Sequence, residues 1–490
     1  WNVMQSGSNE TIRNYINGAF ASASASQELE VRNPATQEIL GRVPLSSAAD
    51  VEKAASAARA AFPAWRDTPA PVRARYLFKL KNLLEDNFER IAEMVTKEHG
   101  KTLDESRGDV RRGIDNVETA CGIPSMMLGQ CLEDVAKGID CSVNREPLGV
   151  FAAIAPFNFP AMVPLWFLPY AIATGNTFIV KPSEVVPLTQ DLIAHLIAEL
   201  GLPPGVVNYV HGGRDAVNAI LTNPDIDGIS FVGSTPVAEH VYKTGSAHGK
   251  RVQALGGAKN FLTVMPDADL DKTVSNIADS CYGCAGERCL AGSVILCVGD
   301  AYGKFKDRFL EAARAIKIGN GMDPGVTMGP VISRAHRERV LGYIQKGIDE
   351  GAELLLDGRG VKVDGYPDGN WVGPTVFNRV HPSMTIAREE IFGPVVCLVD
   401  VPTIEDALKI IEAHELANTS SIYTSSGRAA REYSHRVKAS MIGVNIGVAA
   451  PMSFFSFGGA KRSFFGDLKA HGRESIQFYT DGKVTISRWW

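Results

Sequence analysis

The sequence predicts an α/β protein: a doubly wound parallel sheet followed by a second α/β layer. Three observations carry this expectation. From Gly149 onward, short apolar runs alternate with helical stretches. Residues 150–155, 177–180, 206–210 and 228–232 read as strands, and helices start between them near Pro187, Asp215 and Pro236. Alternation at this spacing lays strands side by side with helices on both faces. A second alternating region runs from about 255 to about 435, where residues 293–298 and 395–401 read as strands. Finally, 490 residues exceed what one ordinary core fills, so two or three domains are expected.

Upstream of this region, residues 46–62 open with Ser46 and Ser47 and continue Ala-rich, as an N-capped helix does. From 72 to about 99, Leu77, Leu80, Leu83, Leu84, Ile91 and Met94 recur near 3.6 spacing and predict one helical block. Residues 147–180 contain no Asp, Glu, Lys or Arg, enough length to cross a bilayer. Pro156, Pro160, Pro164 and Pro169, with Asn158, interrupt that stretch. Proline breaks the helical ladder, and in lipid the freed groups have no partner. A buried strand, an irregular loop and a packed helix are expected there, and no membrane span. Apart from a short Ala-Ser run at 20–26 there is no low-complexity linker, and there are no internal repeats.

Composition excludes several functions. Apolar residues at 45% and charged residues at 21% describe a globular chain, not a disordered or fibrous one. Fifty basic against 55 acidic residues leave a net charge of −5 with no like-charged block, which speaks against nucleic-acid or membrane-surface binding. Eight cysteines are too sparse for a disulfide scaffold and point to a reducing compartment: the cytoplasm, or the mitochondrial matrix in a eukaryote. The opening Trp1-Asn2-Val3-Met4-Gln5 has neither an initiator Met nor a signal-peptide apolar run, and is read as a trimmed end.

No G-x-G-x-x-G follows any predicted strand, but two strand-to-helix turns have nucleotide-binding character. The first, Phe178-Ile179-Val180-Lys181-Pro182-Ser183-Glu184, ends a strand with a cation and a carboxylate that would accept from ribose hydroxyls. The second, Ile229-Ser230-Phe231-Val232-Gly233-Ser234-Thr235-Pro236, offers close backbone approach at Gly233 and a helix N-terminus suited to phosphate. Taken singly, either is equally an ordinary βα turn.

Cys289 lies in Gly283-Cys284-Ala285-Gly286-Glu287-Arg288-Cys289. The glycines permit a tight backbone, and the adjoining Arg288 is expected to favour a thiolate, the nucleophilic form. A buried inert thiol is the competing reading. A zinc site of Cys281, Cys284 and Cys289 lacks a second CxxC or a nearby His, so no metal is expected.

With these residues in hand, the chain resembles the aldehyde dehydrogenase superfamily from about Tyr15 onward. Six pieces in order carry the resemblance: Pro156-Phe157-Asn158-Phe159-Pro160, Lys181-Pro182-Ser183-Glu184, Phe231-Val232-Gly233-Ser234-Thr235, Gly286-Glu287-Arg288-Cys289, Glu389-Glu390-Ile391-Phe392-Gly393-Pro394-Val395 and Ser456-Phe457-Gly458-Gly459. Within the superfamily it is similar to the CoA-acylating methylmalonate-semialdehyde and malonate-semialdehyde dehydrogenases. Phe157 where other members have Trp, Gly257-Ala258-Lys259-Asn260 and the tail Ile476-Gln477-Phe478-Tyr479-Thr480 point that way.

The resemblance implies the aldehyde-dehydrogenase fold: a Rossmann-like NAD-binding domain (10–125 and 146–252), an α/β catalytic domain (253–437) and a small β oligomerisation extension (126–145 and 465–490). It implies a homotetramer, a dimer of dimers, and NAD as cofactor with coenzyme A as co-substrate. Cys289 is implied as nucleophile, with the Asn158 amide holding the oxyanion. Phe157, Lys181, Glu184, Gly233, Ser234, Glu390 and Phe392 are implied as cofactor-binding residues, the Glu184 carboxylate favouring NAD over NADP. Arg112 and Arg288 are implied to hold a substrate carboxylate through their planar forks. Without the family, Arg112 reads as a solvated helix residue paired with Asp109 or Asp115.

Hydrolytic members carry Glu in a Glu-Leu-Gly-Gly motif to activate water. Here Ala254 stands at that place in Gln253-Ala254-Leu255-Gly256-Gly257. An alanine cannot take a proton, so an acyl-enzyme is expected to await a thiol such as CoA, unless Glu287 or Glu390 serves as base.

Overall fold

The computed structural model describes residues 10–490, so the opening pentapeptide lies outside the described residues. Its first sheet has eight strands, of which the central five are parallel, in the order Val207–Tyr209, Thr177–Lys181, Val150–Ile154, Gly228–Val232, Arg251–Leu255. Every residue of the middle three is buried, which is why their sequences read as unbroken apolar runs: helices cover both faces. Antiparallel edges close the sheet, Asn14–Ile16 with Ala19–Ala21 on one side and Phe464–Phe465 on the other. Val150–Ile154 comes first of the five in the chain yet lies in the middle, so the winding reverses beside it. Ligands of such sheets bind beyond the carboxyl ends at that reversal. The segments leaving the three central strands there carry Phe157 and Asn158, Lys181 and Glu184, and Gly233 and Ser234.

The second sheet has seven strands, in the order Glu353–Leu356, Thr375–Asn378, Val395–Val401, Gly292–Val298, Asn260–Val264, Thr419–Tyr423, Met441–Val444. All pairs are parallel except the first. The amino ends of its central strands meet the carboxyl ends of the first sheet. Asn158, beyond Val150–Ile154, donates to the Glu287 carbonyl ahead of Gly292–Val298 at 3.1 Å.

The helical block predicted over 72–99 is two helices, Ala70–Asp86 and Phe88–His99. At Asn87 the backbone leaves helical geometry (φ −108°, ψ 15°) and the side-chain amide donates to the Leu83 carbonyl at 2.9 Å. Asparagine competes for the helix's own acceptors in this way. The apolar stripe continues across the break, through Leu77, Leu80, Leu84, Ile91 and Val95. The charge-poor stretch at 147–180 forms a strand, a short 3₁₀ turn (Pro164–Trp166), the helix Leu168–Thr174 and a second strand, all within the protein. Among the described residues no helix is long and apolar enough to cross a membrane. All eight cysteines are free thiols.

A three-stranded antiparallel sheet went unseen in the sequence patterning. Gln130–Ala136 and Ile139–Pro147 form a hairpin, and Thr480–Arg488 runs antiparallel to the latter from Thr480 opposite Pro147 to Arg488 opposite Ile139.

One turn joins the two α/β layers. Helix Phe88–His99 ends at Gly100, whose φ of +97° suits glycine. Two residues on, Thr102 opens helix Leu103–Cys121 with a capping box, exchanging bonds of 3.3 and 2.9 Å with Glu105. The Leu103 N–H donates to the Gly321 carbonyl at 3.0 Å, and a Cβ on Gly329 would overlap the Gly100 carbonyl. Gly329→Ala is therefore expected to cost about 1–3 kcal/mol by overpacking. Gly303→Ala, in the exposed face of helix Ala301–Arg314 with open space around it, is expected to gain about 1 kcal/mol. Thermal unfolding of the two variants checks this: shifts of the same sign would refute the packing of the turn.

Candidate active site

Cys289 follows a strained turn in which Cys284, Ala285 and Gly286 have φ of 50, 52 and 75°. A Cβ on Gly286 would overlap the Gly393 carbonyl, so the loop carrying Glu390 and Phe392 packs directly on the loop carrying the thiol. The Cys289 carbonyl accepts the side-chain amides of Asn260 and Asn418, both at 2.9 Å. Asn260 also holds Ala291 O at 2.8 Å, so the backbone at Cys289 and just beyond it is fixed. The partly buried side chain lines an open cleft with an empty volume of about 830 Å³, together with Phe159, Met162, Trp166, Phe457, Arg112 and Arg288.

The expectation that Arg288 favours a thiolate at Cys289 is not met. Burial, with Glu390 adding to it, pushes the Cys289 thiol up to about 12, and Arg288 opposes this only weakly. The guanidinium faces elsewhere: Nε to Cys284 Sγ at 3.2 Å, Nη2 to Glu105 at 3.3 Å and Nη1 to the Asp279 carbonyl at 3.4 Å. Sequence neighbours in a tight loop project apart, and the charge is spent on Cys284 and Glu105. Arg288 does line the cleft, but with its donors already engaged.

Asn158 is 4% exposed and spends one amide hydrogen on the Glu287 carbonyl, leaving the second for a ligand. Its own carbonyl accepts from Lys101 Nζ at 2.6 Å. That ammonium is fully buried, pairs with Asp109 at 3.2 Å and lies 3.8 Å from the centre of the Phe159 ring. The other Asp109 oxygen takes the Met162 N–H at 2.7 Å.

Lys181 is 3% exposed, and its Nζ donates to Glu184 at 3.0 Å and to the Gly212 carbonyl at 2.6 Å, which orients a carboxylate that remains partly exposed. Ser234 is the N-cap of helix Thr235–Ala247, with its hydroxyl unspent on the cap and Pro236 in the first turn. A Cβ on Gly233 would crowd Phe231. Phe157 meets Phe392 edge-to-face at 5.7 Å, and His336, 6.1 Å from Phe157, bonds the Phe392 carbonyl through Nε2 at 2.6 Å. This fixes Phe392 at a φ of 61°, a left-handed value a phenylalanine rarely adopts. Glu390 accepts from the Ala258 N–H at 2.8 Å, and burial raises its carboxyl to about 7. Glu287, the other carboxylate considered as a base, is wholly buried beside His336 and His99, and burial holds it well above the usual carboxylate range.

Arg112 does not pair with Asp109, which belongs to Lys101. It reaches across to the Pro451 carbonyl at 2.9 Å and faces the cleft. Sequence reasoning missed Lys101, Asn260, Asn418 and His336. Asn260 alone carried a local signal, as the last residue of Gly257-Ala258-Lys259-Asn260.

A thiol, an amide donor, a switch-point cleft and a carboxylate paired to a buried lysine make up this site. Residues 20–485 match the model of the aldehyde dehydrogenase family. The chain belongs to that family. It is 48% identical over 486 residues, 99% of its own length and all of the relative's, to malonate-semialdehyde dehydrogenase 1 of Oceanobacillus iheyensis. The methylmalonate-semialdehyde dehydrogenase of Oceanimonas doudoroffii superposes with a TM-score of 0.96 at 46% identity, covering 98% of each chain. A protein of Sinorhizobium meliloti, assigned as a methylmalonate-semialdehyde dehydrogenase and complexed with NAD, gives 0.96 at 42% identity over 100% and 99% of the chains.

Two predictions follow for this aldehyde dehydrogenase. With the resting thiol raised to about 12, the thiolate fraction near pH 7 is only about 10⁻⁵ and rises tenfold per pH unit. Alkylation of Cys289 by iodoacetamide, followed on its own peptide by mass spectrometry, should climb about tenfold per unit from pH 7 to 10. A plateau near pH 8 would show a thiolate already formed in the free enzyme. Lys101→Met leaves Asp109 buried without its partner, at a cost of about 3–5 kcal/mol. Adding Asp109→Asn should return much of the stability but not kcat, because the Asn158 carbonyl stays unheld. Denaturation midpoints and kcat measured together check this, and recovery of both would sink the positioning role.

Proposed function

We propose that this aldehyde dehydrogenase oxidises malonate semialdehyde or methylmalonate semialdehyde with NAD. Its acyl group passes to CoA to give acetyl-CoA or propionyl-CoA, and the carboxylate carbon leaves as CO2 or bicarbonate. The observation that carries the reading is a cleft shared by a cysteine and a cation, Cys289 with Arg112. Ala254 is wholly buried among apolar neighbours in the strand Arg251–Leu255. The names of the similar proteins of Oceanobacillus and Oceanimonas support the substrate class.

The residues present fit NAD. The partly exposed Glu184 carboxylate, set by Lys181, would accept from ribose hydroxyls, and Gly233 with Ser234 would admit the pyrophosphate at a helix N-terminus. Glu390 and Phe392 would meet the nicotinamide ribose beside Phe157. NAD, when bound, supplies the hydride acceptor. Cys289 loses its proton to solvent in the open cleft as sulfur attacks the aldehyde carbon, forming a thiohemiacetal oxyanion. The free N–H of Asn158 and the Cys289 backbone N–H stabilise the oxyanion. Loss of hydride leaves a malonyl-type thioester on Cys289. Its carboxylate carbon leaves as CO2, the bonding electrons pass into the thioester enolate, and the α-carbon takes up a proton from solvent to leave an acetyl or propionyl thioester. The CoA thiolate then attacks the thioester carbonyl and the Cys289 thiolate departs, taking up a proton. Arg112 holds the substrate carboxylate until that carbon leaves, and the protein acts as a homotetramer.

One observation favours a second reading, hydrolysis. The Glu390 carboxyl, raised to about 7, is electrostatically coupled to Cys289 and would serve as base toward water. NADH formation from malonate semialdehyde at high enzyme concentration separates the two. A burst of about one NADH per site that becomes steady turnover only with CoA is expected. Steady turnover without CoA would make the enzyme hydrolytic, and appreciable turnover by Cys289→Ala would remove the nucleophile assignment.

A further inference from the structure

His471 lies outside the residues assigned above, at the turn into helix Gly472–Tyr479, and its ring lines the Cys289 cleft. It is 3% exposed, and both ring nitrogens are buried without a hydrogen-bond partner. Every tautomer of imidazole carries a donor, so one N–H is left unpaired in the free enzyme. Of the other buried histidines near the site, His99 also leaves its Nε2 without a hydrogen bond, but 3.9 Å from Glu287 and outside the cleft lining. His99 accepts the Lys101 N–H through Nδ1, and His336 bonds the Phe392 carbonyl through Nε2.

The backbone adds a second cost at the same position. His471 has a φ of 71° with a ψ of 163°, a region essentially confined to glycine, and a Cβ on Gly472, at a φ of 55°, would crowd the Phe454 carbonyl at 2.6 Å. The ring is walled by Trp166 at 4.8 Å edge-on and Phe457 at 5.5 Å, which fix its plane and offer it no acceptor. Strain and an unpaired donor at one cleft-lining residue point to a function. Arg112 faces the same ring, and burial together with that cation lowers the imidazole to about 3, so the ring is neutral at working pH.

Resting on the substrate reading above, we propose that His471 recognises the substrate carboxylate, donating an imidazole N–H to one carboxylate oxygen while Arg112 supplies the opposing charge. A neutral donor adds a directed bond without a second unpaired cation in an apolar cleft. An alkyl aldehyde would leave that N–H unpaired, and sites built to bond a polar group discriminate against analogues that lack it. His471 is thus a specificity residue for carboxylated aldehydes.

The test compares kcat/KM for malonate semialdehyde with kcat/KM for propanal in the wild type, His471→Phe and His471→Gln, with melting temperatures recorded for each. The ratio is expected to fall about tenfold or more in His471→Phe and to recover in part in His471→Gln, which keeps an amide donor. Should His471→Phe fail to fold, the comparison of wild type with His471→Gln, and with His471→Asn (which keeps an amide but is too short to reach), carries the same readout. A ratio unchanged in all foldable variants, or equal losses on both substrates as a packing or water-binding role gives, would overturn the inference. A wild type indifferent to the carboxylate would overturn the substrate reading and the role of His471 with it.

Discussion

The Lys101 ammonium is buried against the Asp109 carboxylate, the Asn158 carbonyl and the face of Phe159, and the geometry of the site depends on that arrangement. Burying an ammonium is costly unless it is paired and bonded, and here each contact ties a different segment of chain. Lys101 comes from the turn wedged under Gly321 and Gly329, while Asp109 sits on helix Leu103–Cys121. Asn158 and Met162 belong to the loop beyond the central strand of the first sheet, and Met162 is held by the second Asp109 oxygen. The loop is thus clamped at both ends. One turn beyond Asp109, the same helix presents Arg112 to the cleft, so a single ion pair sets both the amide facing the carbonyl oxygen and the cation facing the carboxylate.

The nucleophile is held by a different logic. Its carbonyl is bonded by Asn260 and Asn418, which fixes the main chain, while the sulfur stays neutral in an apolar setting near Glu390. A protonated thiol is a poor nucleophile, so the free enzyme holds Cys289 in reserve. The arrangement calls for the proton to leave as the carbon–sulfur bond forms, with the Asn158 amide ready for the charge that appears on oxygen. Reactivity of this kind depends on occupancy of the cleft more than on the resting charge around sulfur.

The parts of this design legible in the sequence are those confined to one stretch of chain. Lys181 and Glu184 are three residues apart at a strand end, and Gly233, Ser234 and Pro236 mark a strand-to-helix turn, so periodicity and turn chemistry place them. The parallel strands of the first sheet were legible because burial on both faces makes them continuously apolar. What escaped depends on distance along the chain. Asn418 lies 129 residues from the carbonyl it holds, Lys101 57 residues from Asn158, and Arg112 339 residues from Pro451. The strand Gln130–Ala136 falls in the β extension that the resemblance implied but that residue patterning did not show, because all of it is exposed and has no apolar face to betray a period of two. Arg288 misled because adjacency in sequence was taken for adjacency of charge, and the turn through Cys284 and Ala285 sends its guanidinium toward Glu105.

That misdirection separates the two arginines. Arg288 bonds a sulfur, a carboxylate and a carbonyl, and a substrate carboxylate would have to displace Glu105 to gain its fork. Glu105 is itself committed, capping helix Leu103–Cys121 through the Thr102 N–H and accepting from the Cys284 N–H at 2.6 Å. Breaking the pair would loosen the helix that carries Asp109 and Arg112, and with it the clamp on Asn158. Arg112 carries a lighter obligation: it makes one hydrogen bond, to a carbonyl, and its charge acts on Asp115 without a hydrogen bond to it. Bidentate recognition needs an uncommitted fork, so on the proposed reading the carboxylate would meet Arg112 first, with Arg288 holding in place the helix from which Arg112 projects.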